Sequence, residues 1–294
     1  MLIAVATLIS CGTTSTVPIT GRKHTLSVSD EQVLALSNQE YTKYMSSAKL
    51  STNAEQTAMV KRVGTRLATA VETYLKNNGY ANEVKNFSWE FNLVQNNEVN
   101  AFCMPGGKIV VYTGLLPVTQ NETALAIVLG HEIAHAVAKH SAEQMSKQYR
   151  QQVATSIGGA VLNQVSSGVG DIASNIAGTA FSFANAKYSR ANESEADHMG
   201  LIFAAMAGYN PNEAVTFWTR MANASSNSQQ SGLQNWLSDH PSDQQRIKDI
   251  KGWLPEALKY YHPSTTTSTS SKKKTTKSTS SKKKTTSQKS TRRR

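Results

Sequence analysis

A mostly apolar stretch of one strongly predicted helix carries three polar residues within a single turn. Residues 124–130 are apolar, and the next five read His131-Glu-Ile-Ala-His135. Burying charge is costly unless the charge is paired or bound to a metal, so packing alone gives no reason for this turn. The pattern predicts a long buried helix over residues 121–145 in which the polar turn has a chemical purpose.

The spacing of the polar turn is typical of a metal site. Successive helical residues rotate by about 100°, so His131 and His135 lie on one face, about 6 Å apart along the axis. Two imidazoles at this spacing can bind one Zn²⁺ through nitrogen, and Glu132 beside them is placed to accept a proton from a water molecule. The alternative is a surface turn that has the pattern by chance.

A third zinc ligand is expected from the acidic segment at residues 192–197, Asn-Glu-Ser-Glu-Ala-Asp. If Glu193 points at the metal, Asp197 shares its helix face, whereas Glu195 is turned about 200° away. Asp197 can then accept a hydrogen bond from the outer nitrogen of a ligand histidine. The alternative for Glu193 is an acid that interacts with the helix dipole. Three ligands favour a catalytic site, because structural zinc sites are usually closed by four protein ligands.

Other histidines and a cysteine are predicted to lie away from the metal. On one continuous helix, His140 faces about 180° away from His131 and cannot share its metal. His198 is expected to be a surface or packing residue, and His24 is assigned to a linker. Cys103 is predicted to be a buried small hydrophobic residue rather than a redox switch.

Hydrophobic periodicity predicts that helices precede and follow the strands of a small sheet along the chain. The predicted helices cover residues 29–47, 53–78, 192–207, 211–224 and 242–260, and the strands cover 87–94, 99–104 and 108–112. Residues 151–186 carry a single charge and favour a loosely packed helical pair over a membrane hairpin. The order of elements indicates a mostly helical α+β fold, with one domain over residues 29–263.

The N-terminal residues resemble a secretion signal. The apolar run at residues 2–9 ends in Leu-Ile-Ser-Cys11, which resembles a bacterial lipobox, although no Lys or Arg precedes it. We therefore expect a lipoprotein signal peptide at residues 1–10, a lipid-bearing Cys11 and a flexible, lipid-anchored linker at 11–28. The residue directly after Cys11 is Gly12 and not Asp, which favours an outer-membrane anchor that faces the periplasm. The alternative is a buried N-terminal strand with a structural cysteine.

The net charge of +11 is confined to the C-terminal tail. Residues 264–294 hold eight Lys, three Arg and no acid, and the segment STSSKKKTT occurs there twice. Such a tail is predicted to be disordered, either as a solvated spacer or as a contact for an anionic envelope polymer or lipid. Acidic and basic residues balance in the remaining residues, so no specific nucleic-acid binding is expected.

Four separated motifs together resemble the HtpX-like and CAAX-prenyl-protease zinc metallopeptidases, which form metallopeptidase family forty-eight. The motifs are Asn100-Ala101-Phe102 with Pro105-Gly106-Gly107, Gly130 to His135, Ser189 to Asp197, and His240-Pro241 with Arg246. The resemblance covers most of residues 29–263. It implies a compact peptidase domain with a small sheet, like the members of the family that lack transmembrane helices.

The resemblance also implies roles for individual residues. It assigns one zinc ion to His131, His135 and Glu193. It assigns the general base to Glu132, a carboxylate behind the ligands to Asp197, oxyanion stabilisation to His240 and a supporting position to Arg246. Asn100, Ala101 and Phe102 match an edge strand against which a peptide substrate pairs.

These roles imply a zinc-dependent endopeptidase that acts on misfolded or unfolded proteins of the bacterial cell envelope. The alternative is a chaperone-like or envelope-binding module that retains zinc without turnover. A further alternative makes the basic tail the functional element, with the body as its carrier.

Overall fold

The computed structural model describes residues 12–158, 182–184, 186–227, 231–240 and 244–263. All of them belong to one compact unit, residues 1–264. The predicted signal peptide with Cys11, most of the segment 151–186 and the basic tail lie outside the described residues. None of the helices that are described has the length and apolarity needed to span a bilayer.

The elements follow the predicted α+β order. The described helices are α1 (Asp30–Ser47), α2 (Ala54–Asn77), α3 (Leu116–Thr119), α4 (Glu122–Val137), α5 (His140–Gly158), α6 (Arg190–Met206), α7 (Glu213–Asn227), α8 (Ser231–Asp239) and α9 (Gln244–Ala257). The strands are β1 (Thr13–Thr16), β2 (Lys23–Leu26), β3 (Glu90–Val94), β4 (Ala101–Met104) and β5 (Lys108–Tyr112). Short 3-10 helices cover Glu83–Asn86, Thr113–Leu115 and Leu258–Tyr260.

Two small sheets accompany the helices. Strands β1 and β2 pair antiparallel in a separate two-stranded sheet. The other sheet has the order β3-β5-β4, with β5 parallel to β3 and antiparallel to β4. A turn at Gly106 and Gly107 joins β4 to β5, and both glycines have positive φ, +89° and +82°. Strand β4 therefore lies at an edge of the sheet, beside α4.

The centre of the fold is α4, which is buried along most of its length. Its backbone meets that of α6 at a pair of glycines. A Cβ atom on Gly200 would lie 2.6 Å from the backbone nitrogen of His131, and one on Gly130 would lie 2.7 Å from the carbonyl oxygen of Gly200. The absence of both side chains lets the two helices touch at the turn that begins the His-Glu-x-x-His pattern.

The linker was expected at residues 11–28, and its described part, residues 12–28, is structured. Residues Thr13–Leu26, here called the N-terminal hairpin, form β1, β2 and their connecting turn. Val17 is fully buried in the main core, and His24 is also buried. The hairpin is ordered because it buries apolar side chains and forms ion pairs with the helices. Neither interaction is visible in its composition, which is rich in small polar residues.

The helix predicted over residues 121–145 is also interrupted. Helix α4 ends at Val137 and α5 starts at His140, because Lys139 adopts a left-handed backbone with φ of +58°. The Lys139 ammonium lies 2.8 Å from a carboxylate oxygen of Asp30 and of Glu83. The break changes the direction of His140, so the expectation that this residue faces away from the His-Glu-x-x-His turn is wrong.

Candidate metal centre

Four buried side chains converge where α4, α6 and the end of α8 meet. His131 and His135 come from α4, Glu193 from the first turn of α6 and His240 from the residue after α8; one potential ligand atom of each lies within 4.8 Å of the others. The Nε2 atoms of His131 and His135 are 3.0 Å apart. The Glu193 carboxylate lies 3.3 Å from the first of these nitrogens and 3.2 Å from the second.

The donor set fits a zinc ion. Two imidazole nitrogens and a carboxylate oxygen are ligands that zinc takes in proteins. Oxygen Oε1 of Glu193 is buried and has no hydrogen-bond partner among the described residues. A buried acceptor without a donor is costly, and a metal ion at the centre of the cluster would remove that cost.

The electrostatics of the cluster favour ionised carboxylates. Burial opposes the charged form of every group here, yet the carboxylates of Glu193 and Asp197 raise the pKa of His131 to about 10. Burial alone would raise the pKa of Glu193, but His131 and the other two histidines hold it well below its usual value. Burial lowers the pKa of His135 well below 6.5. The site therefore offers a carboxylate and an unprotonated imidazole to a cation.

Asp197 and Arg246 lie behind His131. The Asp197 Oδ1 atom is 2.9 Å from His131 Nδ1 and accepts a hydrogen bond of 2.7 Å from Arg246 Nη2. Although burial raises it, the pKa of Asp197 is lowered overall, first by the charge of Arg246. Because Asp197 accepts from Nδ1, a cation bound at the cluster would displace the other ring proton of His131, and the Nε2 lone pair would then be directed at the cation.

Glu132 lies beside the ligand cluster. Its side chain is buried, and its Oε1 atom has no hydrogen-bond partner in the described part of the chain. That oxygen is 3.8 Å from Nε2 of His240. Burial raises the pKa of Glu132 above its usual value, and a raised pKa makes a carboxylate a better proton acceptor at neutral pH.

His240 belongs to the ligand cluster itself. Its Nδ1 atom lies 3.0 Å from Glu193 Oε2 and 3.3 Å from His131 Nε2. The structure thus places a fourth potential ligand where the sequence indicated three, so ligand number alone does not separate a catalytic site from a structural one.

Two further side chains at the site were missed by sequence reasoning. The ring of Tyr188 stacks on His135 at 4.2 Å between centroids, and its hydroxyl lies 2.7 Å from that of Ser141. His140 Nδ1 lies 2.8 Å from His135 Nδ1. No spacing rule could find them, because one lies in an irregular segment and the other follows the helix break.

The residues predicted to pair with a peptide substrate lie at or next to an edge strand of the sheet, and two of their side chains are buried. Ala101 and Phe102 lie on the edge strand β4, and Asn100 precedes it, but Ala101 and Phe102 are buried. Phe102 packs edge-on against the rings of Tyr44 and Tyr112. Its side chain therefore belongs to the core of this sheet. Cys103 is free and buried, as predicted.

Similarity to known proteins shows the family of the chain. Residues 54–254 match Peptidase family M48. The chain belongs to this family. The matched segment contains every residue of the ligand cluster, together with Glu132, Asp197 and Arg246, whereas the N-terminal hairpin precedes it. Membership in M48 confirms the resemblance that the four motifs indicated.

The M48 chain is similar to mitochondrial metalloendopeptidases and to a bacterial protease. Mitochondrial metalloendopeptidase OMA1 of Saccharomyces cerevisiae is 35% identical over 184 residues, which cover 61% of this chain and 51% of that protein. Metalloendopeptidase OMA1, mitochondrial, of Homo sapiens is 32% identical over 248 residues, covering 82% and 46%. The beta-barrel assembly-enhancing protease of Escherichia coli is 31% identical over 177 residues, covering 58% and 35%. The chain spans about half, or less, of the length of these relatives.

Proposed function

We propose that the protein is a zinc-dependent endopeptidase. The observation that carries this proposal is Glu132, a buried carboxylate whose Oε1 atom has no partner in the described structure and which lies next to the ligand cluster. A purely structural zinc site has no use for such a carboxylate, since the metal needs only its ligands. Named metallopeptidases among the relatives support the same activity.

His131, His135 and Glu193 would hold the zinc ion, and Asp197 and Arg246 would keep the imidazole of His131 in its ligating orientation. A zinc ion bound there supplies a Lewis acid that polarises the scissile carbonyl and makes water more acidic. Glu132 accepts the proton of the attacking water and delivers it to the leaving amine.

His240 is proposed to stabilise the oxyanion of the transition state. In the structure its Nδ1 atom lies among the ligand atoms, and its Nε2 atom faces Glu132. Oxyanion binding therefore requires the imidazole to turn away from Glu193 when a substrate enters. Asn100, Ala101 and Phe102 remain the proposed strand against which the peptide pairs, through backbone groups rather than through the buried side chains.

The proposed substrates are misfolded or unfolded proteins of the bacterial cell envelope. This setting is supported by the lipobox-like end at Cys11 and by the similarity to the beta-barrel assembly-enhancing protease. We propose a lipid anchor at Cys11 after removal of residues 1–10, and a location at the outer membrane facing the periplasm. The basic tail at residues 264–294 is a candidate contact for anionic envelope polymer.

The test compares the parent chain from residue 12 with Glu132→Gln. We expect about one zinc ion per chain in both proteins, measured by atomic emission after gel filtration. Cleavage of casein, an unfolded protein, should be abolished by a chelator in the parent and should fall by a factor of about 10² to 10⁴ in Glu132→Gln, the usual contribution of a general base. Glu55→Gln, a change of the same kind at an exposed helix position, is the control.

The possible failures separate the hypotheses. Full activity in Glu132→Gln would overturn the assignment of the base. Stoichiometric zinc without cleavage in the parent would support the alternative of a zinc-retaining binding module. Absence of zinc from the parent would overturn the ligand set, Glu193 included.

A further inference from the structure

The two ligand histidines of α4 are supported in different ways. His131 Nδ1 meets the carboxylate of Asp197 directly. His135 Nδ1 instead meets another imidazole, that of His140, at 2.8 Å. His140 Nε2 in turn lies 2.9 Å from Oε2 of Glu195. His140 is therefore interposed between a proposed zinc ligand and a carboxylate.

The direction of each hydrogen bond in this chain follows from the ligand role of His135. If Nε2 of His135 offers its lone pair to a metal, Nδ1 carries the proton and donates to Nδ1 of His140. His140 then carries its proton on Nε2 and donates to Glu195, which as a carboxylate can only accept. One arrangement of protons satisfies all three groups. His135, His140 and Glu195 are 2%, 1% and 8% exposed, so water does not substitute for these bonds.

Glu195 is held by the N-terminal hairpin. Thr20 Oγ1 donates to its Oε1 at 2.5 Å, and Arg22 Nε donates to its Oε2 at 2.8 Å. Arg22 also donates to Glu143 on α5, and His24 lies 2.7 Å from the same oxygen of Glu143. The hairpin thus contacts a carboxylate that is linked to His135 through two successive hydrogen bonds. The hairpin itself lies outside the segment that matches the family.

We propose that the N-terminal hairpin is a positioning element for the metal site, which acts on His135 through Arg22, Glu195 and His140. The inference rests on the proposed zinc site. Because Glu195 fixes the tautomer and the ring plane of His140, it also fixes those of His135. Loss of the hairpin contact lets both rings rotate and weakens the hold on zinc without removing a ligand.

The experiment measures zinc affinity by competition with a chromogenic chelator, on the chain from residue 12. The variants are Glu195→Gln, Arg22→Gln and Arg22→Lys. Glu256→Gln is the matched control, because Glu256 makes a similar 2.7 Å contact with His198, also on α6, away from the cluster. We expect about 10- to 100-fold weaker zinc binding in Glu195→Gln. Arg22→Gln should show a smaller loss, Arg22→Lys should restore part of it, and Glu256→Gln should bind like the parent.

A second measurement separates positioning from folding. The visible absorption of the cobalt-substituted protein reports ligand geometry, and it should change in Glu195→Gln and Arg22→Gln but not in Glu256→Gln. Thermal unfolding of the metal-free proteins shows whether each variant folds. If Glu195→Gln does not fold, Arg22→Gln decides, because the Arg22 side chain is 37% exposed and tolerates change.

The proposal would be overturned if Glu195→Gln and Arg22→Gln bound zinc within a factor of about two of the control with an unchanged cobalt spectrum. The hairpin would then serve stability alone. This result differs from failure of the proposed function, in which the parent itself binds no zinc or cleaves nothing.

Discussion

At the residue scale, the carboxylate of Asp197 is placed to set the properties of His131, a proposed metal ligand that it contacts directly. Its Oδ1 atom lies 2.9 Å from His131 Nδ1. A carboxylate there keeps the imidazole proton on Nδ1 and raises the basicity of Nε2. Asparagine has nearly the same shape but lacks the charge, so it isolates this effect.

We therefore expect Asp197→Asn to bind zinc about 10- to 100-fold more weakly than the parent, with the fold retained. Chelator competition gives the affinity, and circular dichroism of the metal-free protein checks the fold. Asp249→Asn, on the neighbouring helix α9, is the control and should bind zinc like the parent. An unchanged affinity in Asp197→Asn would show that His131 needs no carboxylate behind it.

Single residues also show what the sequence could and could not predict about the site. The spacing of His131 and His135 follows from helix geometry alone, and both ring nitrogens meet as that geometry requires. His140 could not be predicted, because its position depends on the left-handed conformation of Lys139. The Lys139 side chain pairs with Asp30 and Glu83, which are distant in the sequence.

At the scale of elements, the contact between α4 and α6 sets the distance between the histidines and Glu193. Gly200 has no room for a Cβ atom, since the nearest backbone atom would lie at 2.6 Å. Alanine there must push the two helices apart. Overpacking of this kind costs about 1–3 kcal/mol, and the displacement also separates Glu193 from its partners on α4.

We expect Gly200→Ala to lower the free energy of unfolding by about 2 kcal/mol and to weaken zinc binding. Gly252→Ala on α9 is the control, because no atom lies within 4 Å of its added Cβ. That change should be neutral or stabilising by up to about 1 kcal/mol, through helix propensity. Urea unfolding of the metal-free proteins compares the two, and equal stabilities would contradict the close-contact argument.

The contact between the N-terminal hairpin and Glu143 makes a pH-dependent contribution to the free energy of unfolding. Burial opposes ionisation of Glu143, but hydrogen bonds from His24 and Arg22 hold the pKa of Glu143 below 4.5 in the folded protein. The unfolded state therefore binds more protons at acid pH. The stabilising effect is present above pH 4.5 and is lost as the pH falls through the lowered folded pKa.

Glu143→Gln should remove this contribution. We expect the variant to be less stable than the parent by about 1 kcal/mol at pH 7, and the difference should shrink as the pH is lowered from 5 to 3. Urea unfolding at each pH measures it. A difference that stayed constant over this range would mean that the charge of Glu143 contributes nothing.

The elements themselves were predicted unevenly. Strand β5 has the predicted bounds, and α1 lies within the predicted range 29–47 behind a Ser29 capping box, because runs of β-branched residues and helix caps are local signals. The hairpin was assigned to a linker because its small polar residues carry no such signal. What orders it is the burial of Val17 and the pairing of Arg22 with acids on α5 and α6, and both depend on tertiary structure.

At the scale of the whole molecule, the net positive charge and the proposed catalytic residues lie in different parts of the chain. The eleven basic residues at 264–294 equal the net charge of +11, so the rest of the chain is balanced. The proposed catalytic residues all lie within residues 131–246. A polyanion should therefore recognise the tail by long-range attraction, which salt screens, whereas peptide hydrolysis depends on short contacts in the metal centre.

A protein of residues 12–263, compared with the parent chain from residue 12, separates these two properties without the proposed lipid anchor at Cys11. We expect it to keep one zinc ion per chain and to cleave a short uncharged peptide with kcat/KM within a factor of about two of the parent. The shortened protein should no longer be retained on vesicles that contain phosphatidylglycerol. A control that keeps the tail but has Gln in place of every tail lysine and arginine should also lose retention. In the parent, retention should disappear as salt is raised from about 0.05 M to 0.5 M, because the Debye length then falls well below 10 Å. Loss of peptide cleavage in the shortened protein would show that the tail contributes to the site itself, and the tail could then no longer be treated as a separate charged segment.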